Sequence, residues 1–343
     1  MSVFKKIRIG DIITETKDAK TFILEADEPL PYRAGQFLSF VFQKPDREER
    51  RSYSFSSSPD TDDTMAITVK RVVNGEYSRM LIDNAQVGDT LTCINPAGFF
   101  TLPEDHRQFK QIFFLAAGSG ITPVYSLIKT ILHTRPAWQV ILIYSNHTKK
   151  DIIFHDALDA LAIEFRDRFK IEYLLSVSHD LSRARLSKWL LSILLTEYRV
   201  AAWAETLFYL CGPFDYMRMA TIQLLNEGVP VHNIRKENFS TFQPEIKVQP
   251  PDKEKHAVEI LYDNDSFILE VQYPQTILAA AKIKGIPLPY SCEAGKCGTC
   301  AAICKEGKVW MSYNEVLMDD EISKGRILTC VGYPIGGDVK LLF

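Results

Sequence analysis

The sequence predicts a multidomain chain: an antiparallel β-barrel, an α/β domain with a parallel sheet, and an α+β domain that holds a metal cluster. Three observations support this. The first hundred residues alternate short apolar runs with turn residues, and the next stretch alternates apolar strands with helical patterns. Near the C-terminus, four cysteines have the spacing of an iron–sulfur site. A length of 343 residues also exceeds what one compact core supports.

Composition narrows the class of protein. Hydrophobic residues make up 46% and charged residues 24%, as in ordinary globular proteins, and the net charge of −3 provides no basic field for nucleic acid. No apolar run reaches the ~18 residues of a membrane span, and the first residues lack the apolar core of a signal peptide. Cys93, Cys211 and Cys304 remain outside the cluster set and cannot all pair, so a cytoplasmic location is expected.

Residues 1–105 are expected to form the barrel, because short alternating runs recur between breakers; Met65, Ile67 and Val69, for example, share one face. On an apparent strand lies Arg51-Ser52-Tyr53-Ser54. The arginine offers a fork of donors for phosphate, the tyrosine a flat face, and the serine a hydrogen bond. On these four residues alone, a surface arginine beside a strand tyrosine is the simpler interpretation.

A second polar element follows in Gly75-Glu76-Tyr77-Ser78. Ser78 is predicted to cap a helix whose free N–H groups face a pyrophosphate. The alternative is an ordinary turn that leads into a capped surface helix.

Residues 106–239 are expected to form the α/β domain. A continuous apolar run over residues 111–116 indicates a buried strand, and Gly118-Ser119-Gly120-Ile121-Thr122-Pro123 follows it. The next residues place apolar side chains on one helical face, at Val124, Leu127, Ile128, Ile131 and Leu132. Strand, glycine turn and helix form the phosphate-binding unit of dinucleotide folds, although G-x-G-x-x-P departs from the Rossmann pattern. A tight turn without a ligand remains the alternative.

Two later strands end at candidate binding residues. No acidic residue immediately follows the strand at residues 140–144, where dinucleotide folds often have one that hydrogen-bonds the 2′-hydroxyl of the ribose. His147, Lys149 and Lys150 could hold a 2′-phosphate or form a solvated loop, so the choice between NADH and NADPH stays open. The strand at residues 207–210 leads to Cys211-Gly212-Pro213, where the cysteine would face the ligand crevice or lie in the core.

Residues 240–255 are rich in proline and charge and lack periodicity, which indicates a linker. As a flexible coil it would span roughly 20–25 Å, which allows the last domain, residues 256–343, to dock or to swing away.

That domain contains the four cysteines, Cys292, Cys297, Cys300 and Cys330, in the plant-type spacing C-x4-C-x2-C…C for a [2Fe–2S] cluster. Gly295 and Gly298 stand where a Cβ would obstruct the loop. A zinc site or a disulfide set is the alternative, but zinc sites usually show two close cysteine pairs. An acidic group could dock a basic partner or form a solvated face; it comprises Glu315, Asp319, Asp320 and Glu321.

In this order, the segments resemble the ferredoxin–NADP reductase superfamily, and specifically oxygenase reductases with a C-terminal plant-type ferredoxin domain. The first two polar elements resemble its flavin and pyrophosphate motifs, and the glycine turn and Cys-Gly-Pro segment resemble its nicotinamide-nucleotide motifs. Glu237-Asn238-Phe239 is similar to the end of its nucleotide domain. The resemblance implies a flavin barrel, an NAD(P) domain and a β-grasp ferredoxin domain.

The resemblance further implies FAD rather than FMN, a [2Fe–2S] cluster, and NADPH or NADH. Electrons would pass to a redox partner, an oxygenase or a ferredoxin-like or hybrid-cluster acceptor; a redox-sensing module is the alternative from another class. Ser54 and Cys211 would be catalytic. The implied cofactor-binding residues are Arg51, Ser52, Tyr53, Ser54, Lys70, Gly75, Tyr77, Ser78, Gly118, Gly120, Thr122, Pro123, Cys211, Gly212, Pro213 and Phe239.

Overall fold

A computed structural model describes residues 4–45, 47–240 and 248–343, which form three large sheets and one small two-stranded sheet. Most of the predicted linker's first half, residues 241–247, lies outside the described residues. None of the helices in the described part of the chain has the length and apolar character to cross a bilayer.

The first sheet has six antiparallel strands: β1 (Lys5–Thr16), β2 (Ala19–Ala26), β3 (Phe37–Gln43), β4 (Glu48–Ser54), β5 (Met65–Lys70) and β6 (Thr90–Ala97). Their order is β4-β3-β6-β1-β2-β5, and a bridge between Phe55 and Ile67 joins the chain beyond β4 to β5. The sheet thereby closes on itself around a core that includes Ile9, Phe40 and Val69, each fully buried. The predicted barrel is confirmed. Helix α1 (Glu76–Asn84) connects β5 to β6.

The second sheet is parallel and comprises β7 (Gln111–Ala117), β8 (Gln139–Asn146), β9 (Phe169–Leu175), β10 (Thr206–Cys211) and β11 (Ile234–Glu237). Its order is β11-β10-β7-β8-β9. Strands β8 and β9 therefore lie on one side of β7 and strands β10 and β11 on the other, so the strand order reverses between β7 and β10. The crossover helices are α2 (Ile121–Thr134), α3 (His155–Glu164), α4 (Lys188–Tyr198) and α5 (Phe214–Asn226).

Helices cover both faces of this sheet, which explains why its strands are apolar throughout. Helix α2 packs on one face with the five apolar residues predicted for it, all of them buried, while α4 and α5 pack on the other. The predicted α/β domain is confirmed.

The C-terminal domain has a five-stranded sheet in the order β13-β12-β18-β14-β16, in which β12 and β18 are parallel. Its elements are β12 (His256–Tyr262), β13 (Asp265–Val271), α6 (Ile277–Ile283), β14 (Ala301–Glu306), β15 (Val309–Met311), α7 (Asp319–Ser323), β16 (Arg326–Leu328), β17 (Gly332–Pro334) and β18 (Val339–Leu342). The predicted α+β architecture is confirmed. Cys292, Cys297 and Cys300 lie on the loop between α6 and β14, and Cys330 lies between β16 and β17.

Candidate functional site

The glycine turn after β7 meets the turn after β10 at the point where the strand order reverses. A Cβ added at Gly120 would come within 2.0 Å of the Cys211 carbonyl oxygen, so only glycine fits there. Gly118 has a φ of +55°, which lets the backbone turn directly into α2. This is the edge at which open α/β sheets bind ligands.

An open cleft of about 900 Å³ lies at this edge. Six predicted cofactor residues line it: Lys70, Gly118, Gly120, Gly212, Pro213 and Phe239. Thr122, Pro123 and Cys211 are instead buried behind it. The hydroxyl of Thr122 is buried without a hydrogen-bond partner among the described residues. Lys17 and Arg185 add positive charge at the rim. These groups fit the phosphates and hydroxyls of a dinucleotide.

The two predicted catalytic residues converge on Glu237. Cys211 and Glu237 are register partners on β10 and β11, and the Ser54 hydroxyl donates a hydrogen bond of 3.3 Å to Oε2 of Glu237. Burial raises the pKa of Glu237 to about 8, against the opposing effect of Ser54. Burial, and secondarily the Glu237 charge, raise the pKa of Cys211 well above its usual value. Glu237 lies in the segment Glu237-Asn238-Phe239, which resembles the end of the family's nucleotide domain, but it was not predicted from the sequence as a site residue. Its position at the C-terminal end of strand β11 could have indicated its place at the ligand edge of the sheet.

On the barrel, β4 carries the arginine and tyrosine of the predicted flavin motif. The Arg51 guanidinium lies 5.0 Å from the centre of the Tyr77 ring and donates to Glu49 at 3.0 Å. Tyr77 in turn stacks on Phe42 with 4.0 Å between ring centres. Burial raises the pKa of Tyr53, so its hydroxyl stays protonated. A cationic fork beside flat aromatic rings fits the phosphate and ring of a flavin.

Ser78 does not cap a helix, and this part of the prediction was wrong. Helix α1 begins at Glu76, with Gly75 in the N-cap position, so Ser78 is already its third residue. Its hydroxyl accepts a hydrogen bond from the Val72 N–H at 3.1 Å and donates to the Gly75 carbonyl at 3.3 Å. Ser78 therefore shapes the turn before the helix, and a Cβ at Gly75 would come 2.5 Å from its hydroxyl.

The four cysteines of the plant-type spacing form two pairs in the C-terminal domain. Cys292 contacts Cys297, and the contact lowers the pKa of Cys292 to about 6 while that of Cys297 rises. Cys300 contacts Cys330 in the same way. Two sulfur pairs fit a two-iron cluster, in which each iron takes two protein ligands. Within the described ranges, no three or more His, Cys, Asp or Glu side chains are placed to hold one metal ion.

The loop around the first three cysteines needs a left-handed backbone. Gly295 and Gly298 have φ values of +69° and +77°, and Glu293 also has a positive φ of +51°. This path aims the Ala294 N–H at Cys292 Sγ, 3.4 Å away, and N–H groups of Lys296 and Cys297 also reach that sulfur. Such donors stabilise thiolates and tune a cluster's reduction potential.

The acidic group predicted either to dock a basic partner or to stay solvated is used partly inside the molecule. Glu321 forms an ion pair of 3.5 Å with Arg235 at β11, and Oε2 of Glu315 accepts a 3.0 Å hydrogen bond from Asn238. Asp319 and Asp320 remain exposed. These contacts hold the C-terminal domain against the nucleotide domain.

Comparisons with known proteins agree with this architecture. Residues 6–102 match the oxidoreductase FAD-binding domain, residues 114–221 the oxidoreductase NAD-binding domain, and residues 261–334 the 2Fe-2S iron-sulfur cluster binding domain. The ferredoxin reductase component of 3-ketosteroid-9-alpha-monooxygenase from Rhodococcus rhodochrous is 34% identical, covering 98% of this chain and 96% of that protein.

A component of the 1,2-phenylacetyl-CoA epoxidase from Escherichia coli is 32% identical, covering 100% of this chain and 98% of that protein. Among solved structures, phthalate dioxygenase reductase shares the fold, with a TM-score of 0.59, 24% identity, and coverage of 99% of this chain and 98% of that one. The chain therefore belongs to the ferredoxin–NADP reductase superfamily, in the group with a C-terminal plant-type [2Fe–2S] domain, and is an NAD(P)H-dependent iron–sulfur flavoprotein reductase.

Proposed function

We propose that this protein is the reductase component of an oxygenase system and delivers electrons from NAD(P)H to a partner oxygenase. The ketosteroid and phenylacetyl-CoA relatives, which it matches over nearly their whole length, carry names of oxygenase components. A plant-type cluster has a potential near −400 mV, which is low enough to reduce such a partner.

One observation carries the proposal: a single strand, β4, touches both of the other sites. Ser54 at its end is bonded to Glu237 beside the nucleotide cleft, and the Ser52 hydroxyl lies 2.7 Å from that of Ser291, next to the cluster ligand Cys292. The flavin motif thus lies between the electron source and the cluster.

The bound flavin would take two electrons as hydride and release them singly to the cluster, which accepts one at a time. This chain's residues would supply binding and orientation. Arg51 would neutralise a flavin phosphate, Tyr53 and Ser54 would hold the ring, and the turn from Gly118 to Pro123 would hold the dinucleotide phosphates. Ser52 points instead to the C-terminal domain, so its contribution to flavin binding would be indirect.

Cys300→Ser tests the order of the sites. The variant removes one cluster thiolate and should abolish cytochrome c reduction, which needs the cluster, while it spares NAD(P)H-dependent ferricyanide reduction at the flavin. Both rates are measured on purified, FAD-loaded protein.

Cys304→Ser is the matched control, because Cys304 lies on β14 outside the two sulfur pairs and should leave both rates unchanged. Loss of both activities in folded, flavin-bound Cys300→Ser protein would contradict the proposed order.

A reductase for a ferredoxin-like or hybrid-cluster acceptor is the alternative within this class, and reconstitution with purified candidate acceptors separates it from an oxygenase reductase. A redox sensor, the alternative from another class, would not sustain steady NAD(P)H turnover with an artificial acceptor.

The preference for NADH or NADPH is tested by comparing kcat/KM for the two nucleotides. Loss of an NADPH preference in Arg185→Ala would place the 2′-phosphate at the Arg185 rim of the cleft.

We also propose a cytoplasmic location. All seven cysteines are free in the described structure, and a reducing compartment would preserve both the cluster thiols and the buried Cys93 and Cys211.

A further inference from the structure

The two faces of β4 serve different neighbours. Side chains alternate across a strand, so Arg51 and Tyr53 point to one side, where the flavin is expected to bind. Glu48, Arg50 and Ser52 point to the other side, where residues 290 and 291 of the C-terminal domain lie against them. Apart from Ser54 at the end of the strand, the residues on this second face have no direct cofactor role in the account above.

Arg50 is the centre of that second face. It is only 8% exposed, and one terminal guanidinium nitrogen donates to the Tyr290 carbonyl at 2.7 Å. The guanidinium also lies 3.5 Å from the centre of the Tyr290 ring. Its Nε donates to Glu48 at 2.6 Å, and the Tyr290 hydroxyl donates to the same Glu48 oxygen at 3.2 Å. Three groups therefore close a largely buried ring of contacts across the domain boundary.

The contact lies beside the cluster in the sequence as well as in space. Ser291 follows Tyr290 and is hydrogen-bonded to Ser52, which is itself bonded to Ser39 on β3 at 2.7 Å. The next residue is Cys292, the first sulfur of the cluster loop. A shift of Tyr290 would therefore move the cluster loop relative to the strand that carries the flavin motif.

We propose that Arg50 is a positioning residue for electron transfer between the flavin and the cluster: it clamps the C-terminal domain onto β4 through Tyr290. This inference rests on the proposed order of the sites. A planar guanidinium suits the task, because it can donate to a carbonyl, pair with a carboxylate and stack on an aromatic ring at once. The low exposure of Arg50 shields these contacts from water and salt.

Arg50→Met tests the clamp, since methionine keeps an unbranched apolar side chain but loses every donor. We expect cytochrome c reduction to fall by about tenfold, which corresponds to about 1.4 kcal/mol in the barrier, while ferricyanide reduction stays within about twofold of wild type. Stopped-flow absorbance should show slower electron transfer from flavin to cluster after unchanged flavin reduction. Arg47→Met is the matched control, because Arg47 lies on the same hairpin, is exposed, and pairs with Glu49.

Arg50→Lys distinguishes positioning from folding. Lysine can keep one donor and the cation over the Tyr290 ring, so its cytochrome c rate should lie between those of wild type and Arg50→Met. Equal cytochrome c rates in Arg50→Met and Arg47→Met overturn the inference, as does loss of cluster absorbance in Arg50→Lys, which would make Arg50 an assembly residue. If wild-type protein with flavin and cluster bound reduces ferricyanide but not cytochrome c, the proposed order fails and the inference fails with it.

Discussion

The barrel is held to its two neighbouring domains in different ways. Toward the nucleotide domain, Lys129 of α2 pairs with Asp62, and the Ser58 and Thr130 hydroxyls are buried 2.7 Å apart. Toward the C-terminal domain, a small number of polar and aromatic contacts surround Arg50. The first interface continues the core of the α/β domain, whereas the second is a set of directional contacts.

This difference fits the two steps that the interfaces serve. Hydride transfer needs its donor and acceptor held within a fraction of an ångström, and small misplacements cost large factors in rate. The C-terminal domain, joined through residues 240–255, must in addition present its electrons to another protein. The comparison predicts that damage to the first interface lowers stability, and that damage to the second lowers cluster-dependent activity alone.

The largest expected effect is that of Lys129→Met. Its side chain is 13% exposed, and its loss leaves Asp62 without its cation at a partly buried site. We expect the free energy of unfolding to fall by about 3 kcal/mol, as measured by urea denaturation. Lys188→Met, at an exposed position on α4, should change it by less than about 0.5 kcal/mol. Equal losses in the two variants would remove the distinction between the interfaces.

The next effect is a pH dependence from Glu237, which links Ser54 of the barrel to β11. Its pKa of about 8 in the folded protein exceeds the ordinary value of 4.5, so the folded state holds a proton that the unfolded state has lost. Stability from this group therefore falls as pH rises between about 4.5 and 8, by up to about 1.4 kcal/mol per pH unit.

Glu237→Gln should remove this slope, as checked by the difference in unfolding free energy between wild type and variant at pH 6 and pH 7. The exposed Glu164→Gln is the control and should leave the slope unchanged. Parallel pH profiles for wild type and Glu237→Gln would show that Glu237 titrates normally.

The smallest effect belongs to the contact between the nucleotide domain and the C-terminal domain. Arg235 on β11 and Glu321 form a 3.5 Å ion pair there, each with 18% of the side chain exposed. Arg235→Gln should lower cytochrome c reduction by about twofold and stability by no more than about 1 kcal/mol, because glutamine, unlike methionine in Lys129→Met, can still donate a hydrogen bond to Glu321. A double-mutant cycle with Glu321→Gln should give a coupling energy that shrinks in 0.5 M salt; no coupling at low salt would show that the pair does not hold the domain.

Local sequence signals predicted the three domains well. Three signals each lie within a short stretch of sequence: the spacing of the first three cysteines, the glycine turn before Pro123 and the apolar stripe of α2. Local backbone geometry decides which of these residues lie next to one another, so they can be predicted without knowledge of the tertiary fold. Ser78 shows the limit of such signals: serine is a good capping residue, yet the chain turns into a helix earlier, at Gly75, and the hydroxyl bonds backward.

The contacts between domains could not be predicted in this way. Arg50 and Tyr290 are 240 positions apart, and nothing in the window around either residue identifies the other. The Arg50-Arg51 pair held a partial signal, because alternation along a strand sends neighbours to opposite faces, and two such arginines need two different partners. For Glu237, the raised pKa follows from burial at a site that the barrel and the nucleotide domain form together.

Phe99 of the barrel sets a condition for engineering chimeric reductases. Its ring lies where a Cβ on Gly298 would come within 2.4 Å, and the Arg326 guanidinium sits 4.9 Å from its centre. A foreign ferredoxin domain joined at residues 240–255 would have to pack against a barrel surface shaped by the Phe99 ring. Donor modules that lack glycine at the matching loop position would collide with the host, so successful swaps should exchange Phe99 together with the module.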